Sequence, residues 1–283
     1  MDFKQDAVIN SGTTSSGGRG GGLAVGGIGG IIIAIIAALL GFNPGDLTGG
    51  GGAGAPQGDD KSYAHCKTGE DVKNNPECRW PAYMTSLEQY WSQALNGFQP
   101  SHLRTFSGGV QTACGTASSQ VGPFYCPGDS KIYIDDAFMK KLLQQLGTEH
   151  SLAAEAYITA HEYAHHIQNL TGDLSKSQDG DTGPTSGIVR TELQADCYAG
   201  VWFKWAAKNP DDVIDNVTQD DLNRIVDAAR VVGDDHIQAQ QGGVRPDAWT
   251  HGSSKMRQTW LAKGFNTGDP NQCNTYNTND LGQ

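Results

Sequence analysis

Basic residues are scarce in this chain: 20 Lys and Arg stand against 31 Asp and Glu among 283 residues, a formal net charge of −11. Nucleic-acid binding needs a basic stripe to displace counterions from phosphate, so that class of partner is disfavoured, and anionic substrates with it. The acids are scattered rather than clustered, which suits ordinary solubility. No C-x-x-C pair occurs among the six cysteines, which argues against a cysteine-bound structural zinc. No internal repeat is evident, which removes repeat architectures. The first 60 residues also lack the aromatics and the patterning of a hydrophobic core, so the globular part must lie further on.

What occupies the N-terminal region is polar first and apolar second. Residues 1–22 are Gly/Ser-rich and read as a disordered cytoplasmic tail. Residues 23–42 centre on Ile31 to Leu40, and no charge occurs between Arg19 and Asp46. A segment of this length can cross the ~30 Å hydrocarbon layer, and glycines such as Gly26 and Gly29 are tolerated in membrane helices. Lys4 and Arg19 precede it while Asp46, Asp59 and Asp60 come after, so the expected topology keeps the tail inside and sends the remainder out. The sequence thus predicts a single-pass protein of the cytoplasmic membrane, anchored by its N-terminal helix, with its domain on the periplasmic or extracellular side. Residues 43–62 read as a Gly-rich linker and residues 63–283 as the domain. All six cysteines lie beyond the apolar run, as suits an oxidising compartment. Local spacing suggests Cys66 with Cys78 and Cys114 with Cys126, leaving Cys197 for Cys273.

The most informative string is His161-Glu162-Tyr163-Ala164-His165. Its flanks, from Leu152 to Leu170, are good or tolerable helix formers, and Gly172 supplies a stop. On a helix, residues four apart share a face, so the two imidazoles converge on one point with Glu162 beside them. A catalytic zinc takes three protein ligands and leaves one position for water. Glu192, 27 residues after His165, supplies a third ligand. Asp196, one turn further, is placed to accept the free ring N–H of a ligating histidine, which fixes its tautomer. His166 falls roughly 100° around the helix from His165 and reads as a packing or supporting residue, not a ligand.

The strings YITAHEYAHHIQNLTG and RTELQADCYAGVW, with ACGTASSQVGPFYCPGDSKIYIDDAF upstream and HGSSKMRQTWLAKGF downstream, resemble the bacterial neutral zinc metallopeptidases. More broadly they are similar to zincins whose third ligand is a glutamate. The resemblance runs from about Tyr63 onward. It implies that His161, His165 and Glu192 bind one Zn2+ per chain, that Glu162 is the general base, and that the substrate is a peptide or protein.

The remaining elements can be placed coarsely. Ile132 to Asp135 alternates as a strand, followed by a helix over Asp136 to Leu146. In zincin-like folds a strand so placed forms the edge along which an extended peptide lies, although the run equally fits an ordinary sheet strand. Ser186 to Lys208 reads as a second long helix, with Thr171 to Gly187 as the joint that returns Glu192 to the histidines. Thr218 to Val232 and Ser253 to Lys263 read as further helices, the last closed by Gly264. The expected fold is therefore α+β, a helix-rich zincin-like metallopeptidase domain with a small sheet, preceded by a single transmembrane helix. Candidates for a donor to a developing oxyanion are His251, Tyr198, His236 and Arg245, with His251 favoured because it opens the downstream string. A catalytically silent zinc-containing module that binds peptides is the alternative reading.

Overall fold

In the computed structural model, which describes residues 1–17, 61–177 and 180–283, strands are short and mostly early, helices long and mostly late. β1 is Asp2–Phe3, β2 Thr14–Ser16 and β3 Lys61–Ser62, followed by α1 (Gly69–Asn74) and α2 (Arg79–Ala94). Then come β4 (His102–Phe106), a hairpin of β5 (Gly109–Thr112) and β6 (Gly115–Ser118), β7 (Phe124–Cys126) and β8 (Lys131–Asp135). The second half holds α3 (Asp136–Gln145), α4 (Leu152–Thr171), α5 (Gly187–Ala206), the short β9 (Ile214–Asp215), α6 (Gln219–Val231), α7 (Asp234–Gln240) and α8 (Ser254–Thr267). The fold is a helix-rich α+β arrangement with small sheets.

The main sheet has the order β3-β2-β4-β8-β7, with β2, β4 and β8 parallel and β3 and β7 antiparallel at the ends. Ile132, Tyr133 and Ile134 of β8 are each at most 1% exposed, because both faces of a central parallel strand are covered. The expectation that this strand is an open edge for an extended peptide is therefore corrected: β8 is paired on both sides. The strand beyond it, β7, is also covered, with Phe124, Tyr125 and Cys126 all buried. The β5–β6 hairpin is stitched to β7 by the Cys114–Cys126 disulfide, and the backbone N–H of Ala113 donates to Asp129 at 3.1 Å.

The N-terminal residues are part of this domain. β1 pairs with β9, and β2 lies between β3 and β4, with Ser16 opposite Lys61 on one side and opposite Thr105 on the other. Residues 1–17, read from sequence as a disordered tail, are thus ordered; Thr14-Ser15-Ser16 carries no hydrophobic signal because its ladder bonds, not its side chains, hold it. The expected span at 23–42 lies outside the described residues, as do most of the tail's last residues and the linker. Its single-pass topology is nevertheless overturned. The chain leaves the sheet at β2 and re-enters at β3 beside it, so one crossing between them would separate two strands that are hydrogen-bonded to each other. Among the described residues, no helix is long and apolar enough to cross a membrane. The placement of a tail inside and a catalytic domain outside is withdrawn.

Two devices lock the helices together. Arg79 of α2 donates to buried Glu155 of α4 at 2.6 and 3.1 Å, His150 bonds the same carboxylate at 2.6 Å, and Arg79 also pairs with Asp136 at the start of α3. Burial would raise the Glu155 carboxyl, but His150 and Arg79 outweigh it and hold it below the usual carboxylate value. The second device is backbone contact between α5 and α8. A Cβ at Gly264 would stand 1.9 Å from the Cys197 carbonyl oxygen, and one at Gly200 would stand 2.1 Å from that of Leu261. Gly264 is consequently not the stop expected from sequence; α8 continues to Thr267 and is closed by Gly268, in the left-handed conformation at φ 66°. The Cys197–Cys273 disulfide ties α5 to the turn that follows α8, and Cys66–Cys78 closes the third pair.

Gly264→Ala should therefore destabilise by more than the ~1–3 kcal/mol of ordinary overpacking, since its obstacle is backbone rather than a flexible side chain; urea unfolding measures it, and a change below about 1 kcal/mol contradicts this packing. A second expectation concerns acid. Because the Glu155 carboxyl is depressed in the fold, its stabilisation is present above the unfolded carboxylate value and is lost as pH falls through the lower folded one. Arg79→Met, which strands a buried carboxylate, should cost about 3–5 kcal/mol at neutral pH, and this loss should shrink as the medium is acidified in a pH series of unfolding curves.

Candidate metal centre

The site grows from α4. Ser151 caps it by accepting from the Ala154 N–H, and Gly172 ends it with φ 83°, the left-handed position that glycine fills without strain. His161 and His165 lie one turn apart on its buried face, their ring centroids 4.8 Å apart and nearly perpendicular. α5, capped by Ser186, lays Glu192 against them. The His161 Nε2 is 3.0 Å from one Glu192 oxygen and the His165 Nε2 is 3.5 Å from the other. Ligand atoms of these three residues all lie within 4.8 Å of one another. Sequence spacing brought together the residues that the fold brings together.

Each ring is held by its other nitrogen. The Nδ1 of His161 is 2.9 Å from Asp196 Oδ1, and the Nδ1 of His165 is 2.8 Å from Gln168 Oε1. The Gln168 amide cannot be turned over, because its NH2 donates to the Thr191 carbonyl at 2.7 Å and to Gln194 Oε1 at 2.9 Å. An amide oxygen only accepts, so His165 carries its proton on Nδ1 and leaves Nε2 bare. Asp196 likewise keeps a proton on the Nδ1 of His161. Both Nε2 atoms then face Glu192; in the metal-free fold the His161 Nε2 donates to one Glu192 oxygen, and it offers its lone pair to a metal once that proton leaves, while Glu192 Oε1 is buried and makes no hydrogen bond among the described residues. A buried carboxylate oxygen without a donor is costly, and two imidazole nitrogens with a carboxylate are a donor set suited to zinc. The residues fit a zinc ion.

Among known protein families, the profile of the one described as "Putative neutral zinc metallopeptidase" matches residues 2–276. The chain belongs to this family. Among its relatives, the uncharacterized protein Rv2575 of Mycobacterium tuberculosis (strain ATCC 25618 / H37Rv) is 44% identical over 225 residues, 77% of each chain. The uncharacterized protein YpfJ of Escherichia coli (strain K12) is 35% identical over 285 aligned positions, 97% of this chain and 96% of the relative. No solved structure matches the chain. The family is one of zinc peptidases, which implies peptide or protein substrates at the level of the family.

Within such a site the electrostatics are uneven. Burial alone would depress the metal-free His161 ring, but Asp196 and Glu192 outweigh it and push it up to about 9. Burial would likewise raise Glu192 and Asp196; the neighbouring imidazoles of His165, His251 and His161 outweigh it and hold Glu192 well below its usual range, and Arg257 with His161 brings Asp196 down to about 2. Glu162 is the partly exposed member, raised by burial against the pull of His165 and His161. His251 is buried; its Nδ1 bonds Thr250 Oγ1 at 2.9 Å and stands 3.5 Å from Asp234, and burial's lowering of its ring is outweighed by Glu192 and Asp234. Of the other donor candidates, Tyr198 packs edge-on against Trp91, His236 bonds the Leu146 carbonyl at 2.8 Å, and Arg245 is exposed. His166 is a packing residue, its Nε2 donating to the Gln99 carbonyl at 2.7 Å and its Nδ1 meeting the Tyr125 hydroxyl.

Sequence reasoning missed Gln168 and Arg257. Gln168 had a signal, since it stands one helical turn after His165; Arg257 had none, being 61 residues from the Asp196 carboxylate it grips.

The His161 proton gives a direct expectation. A ring whose value is raised from 6.5 to about 9 in the metal-free fold contributes stability that is complete below about pH 6.5 and is lost as pH rises through about 9. Zinc needs that nitrogen bare, so uptake near neutral pH should release about one proton. Calorimetric titrations in buffers of different ionisation enthalpy read this number, and a value near zero would contradict the protonated ring.

Proposed function

We propose that the domain hydrolyses peptide bonds, using one zinc ion held by His161, His165 and Glu192, with Glu162 as general base and His251 as donor to the oxyanion. The observation that carries this reading is the convergence of two oriented Nε2 atoms on Glu192, beside Glu162, a residue that is only partly buried. A purely structural zinc would be closed by a fourth protein ligand and would have no use for that carboxylate.

Zinc, when bound, makes water more acidic, toward a pKa of about 7, and polarises a carbonyl. The chain's own residues do the rest. Glu162, whose proton affinity is raised by burial, takes a proton from water as the water oxygen bonds to the scissile carbonyl carbon. It then delivers that proton to the amide nitrogen as the C–N bond breaks, so the carboxylate is regenerated and no covalent link to the protein forms. His251, its Nδ1 engaged by Thr250 and its Nε2 without a hydrogen bond among the described residues, donates from Nε2 to the oxygen that gains charge. Since β8 and β7 are covered, substrate approaches from the exposed side of Glu162 and not by adding a strand to the main sheet's β7 end.

Metal analysis of the purified protein should give about one zinc per chain, and His161→Ala with His165→Ala should abolish it; full retention in that double variant sinks the ligand assignment. Glu162→Gln should keep zinc and fold while turnover of a casein-type substrate falls on the order of 100-fold or more. If that variant is as active as the unaltered protein, the catalytic role passes elsewhere; if neither turns substrate over although both hold zinc, the peptide-binding alternative takes its place.

A further inference from the structure

Arg257 makes no contact with the donor atoms that face a metal, yet it is 3% exposed and spends its guanidinium on one carboxylate next to them. Its Nε donates to Asp196 Oδ2 at 2.8 Å and its Nη2 to Oδ1 at 2.9 Å. Its Nη1 donates to the Val232 carbonyl at 3.1 Å, and Nη2 also reaches the Tyr157 hydroxyl at 3.3 Å and stands 3.3 Å from His161 Nδ1, the two nitrogens sharing Asp196 Oδ1 as their acceptor. Tyr157 in turn donates to the same Asp196 oxygen at 2.6 Å. The two-toothed fork fixes the plane of the carboxylate, and Oδ1 then lies 2.9 Å from His161 Nδ1.

From this we infer that Arg257 is a positioning residue for zinc: it acts on His161 through Asp196, holding the ring's Nδ1–H and so aiming Nε2 at the ion. The inference rests on the zinc reading above. The α5–α8 contact through Gly200 and Gly264 supplies the means, because it carries Arg257 on α8 to Asp196 on α5 with little freedom to slide. Asp196 without the fork would still be an anion, but one free to rotate. Orientation and charge can be separated by chemistry, since lysine keeps the positive charge and cannot hold both carboxylate oxygens in one plane.

The experiment is a competition between the full-length protein and a zinc chelator, with thermal unfolding of the metal-free forms as the check on folding. Arg257→Lys should weaken zinc about tenfold, and Asp196→Asn by about 10- to 100-fold. Because one acts through the other, Arg257→Lys in the Asp196→Asn background should add less than about twofold. A residue that only stabilised the fold would lower the unfolding temperature and leave zinc affinity unmoved. Unchanged affinity in a folded Arg257→Lys, or full additivity in the double variant, overturns the inference. Should Arg257→Lys not fold, the zinc-loaded unaltered protein is read by nitrogen-15 NMR: His161 protonated on Nδ1 and bound through Nε2 supports the inference, and the reverse tautomer overturns it. Failure of the underlying zinc reading looks different, as no tight zinc in the unaltered protein.

Discussion

A carboxylate taken out of water must be given donors, and Asp196, fully buried, has four donor atoms from two other helices. Tyr157 and His161 come from α4 and Arg257 from α8. Removing water from an ion costs several kcal/mol even after relaxation, so the three helices can be joined at this point only in an arrangement that satisfies it. The catalytic geometry is therefore also the packing geometry. Glu192 lies one turn from Asp196 on α5, and whatever orients one orients the other.

That constraint works because α5 and α8 cannot drift. Glycine at 200 and 264 lets the two backbones meet directly, and a disulfide between Cys197 and Cys273, 76 residues apart, holds the chain end to the same helix. Contacts of this kind are stiff, since no side chain stands between the helices to be repacked. On the opposite flank, Glu155 clasps Arg79 and His150 and seats the first turn of α4. Toward its other end Gln168 bonds Thr191 and Gln194 of α5, so α4 is held on both sides of the histidines.

Helical spacing made part of this readable from residues alone. His161, His165, Glu192 and Asp196 recur at four-residue intervals on two helices, and a period is a local property that survives without coordinates. The helices that carry them fall where their Ser caps and their glycine or proline stops place them. Strands were harder. β8 alternates as a strand should, but whether it is an edge depends on β7 and β4, whose pairing no local pattern states. β2 is three small polar residues and was invisible. Gly264 looked like a stop because glycine ends helices more often than it joins them, and only the neighbouring backbone reveals the other use. The apolar run at 23–42 dominated the reading of the N-terminal region, and its hydropathy said nothing about the strands on either side of it.

The place of β2 has a practical consequence for anyone producing this protein. A glycine-rich leader invites trimming, and a fragment begun at residue 63 would look complete by every measure of composition. It would lack both β2 and β3, and the N–H and C=O groups of Leu103 to Thr105 that pair with β2 would stand bare along one side of β4. An unpaired inner strand is a template for other chains, and such a fragment would aggregate by recruiting copies of itself to the place the first residues were meant to fill.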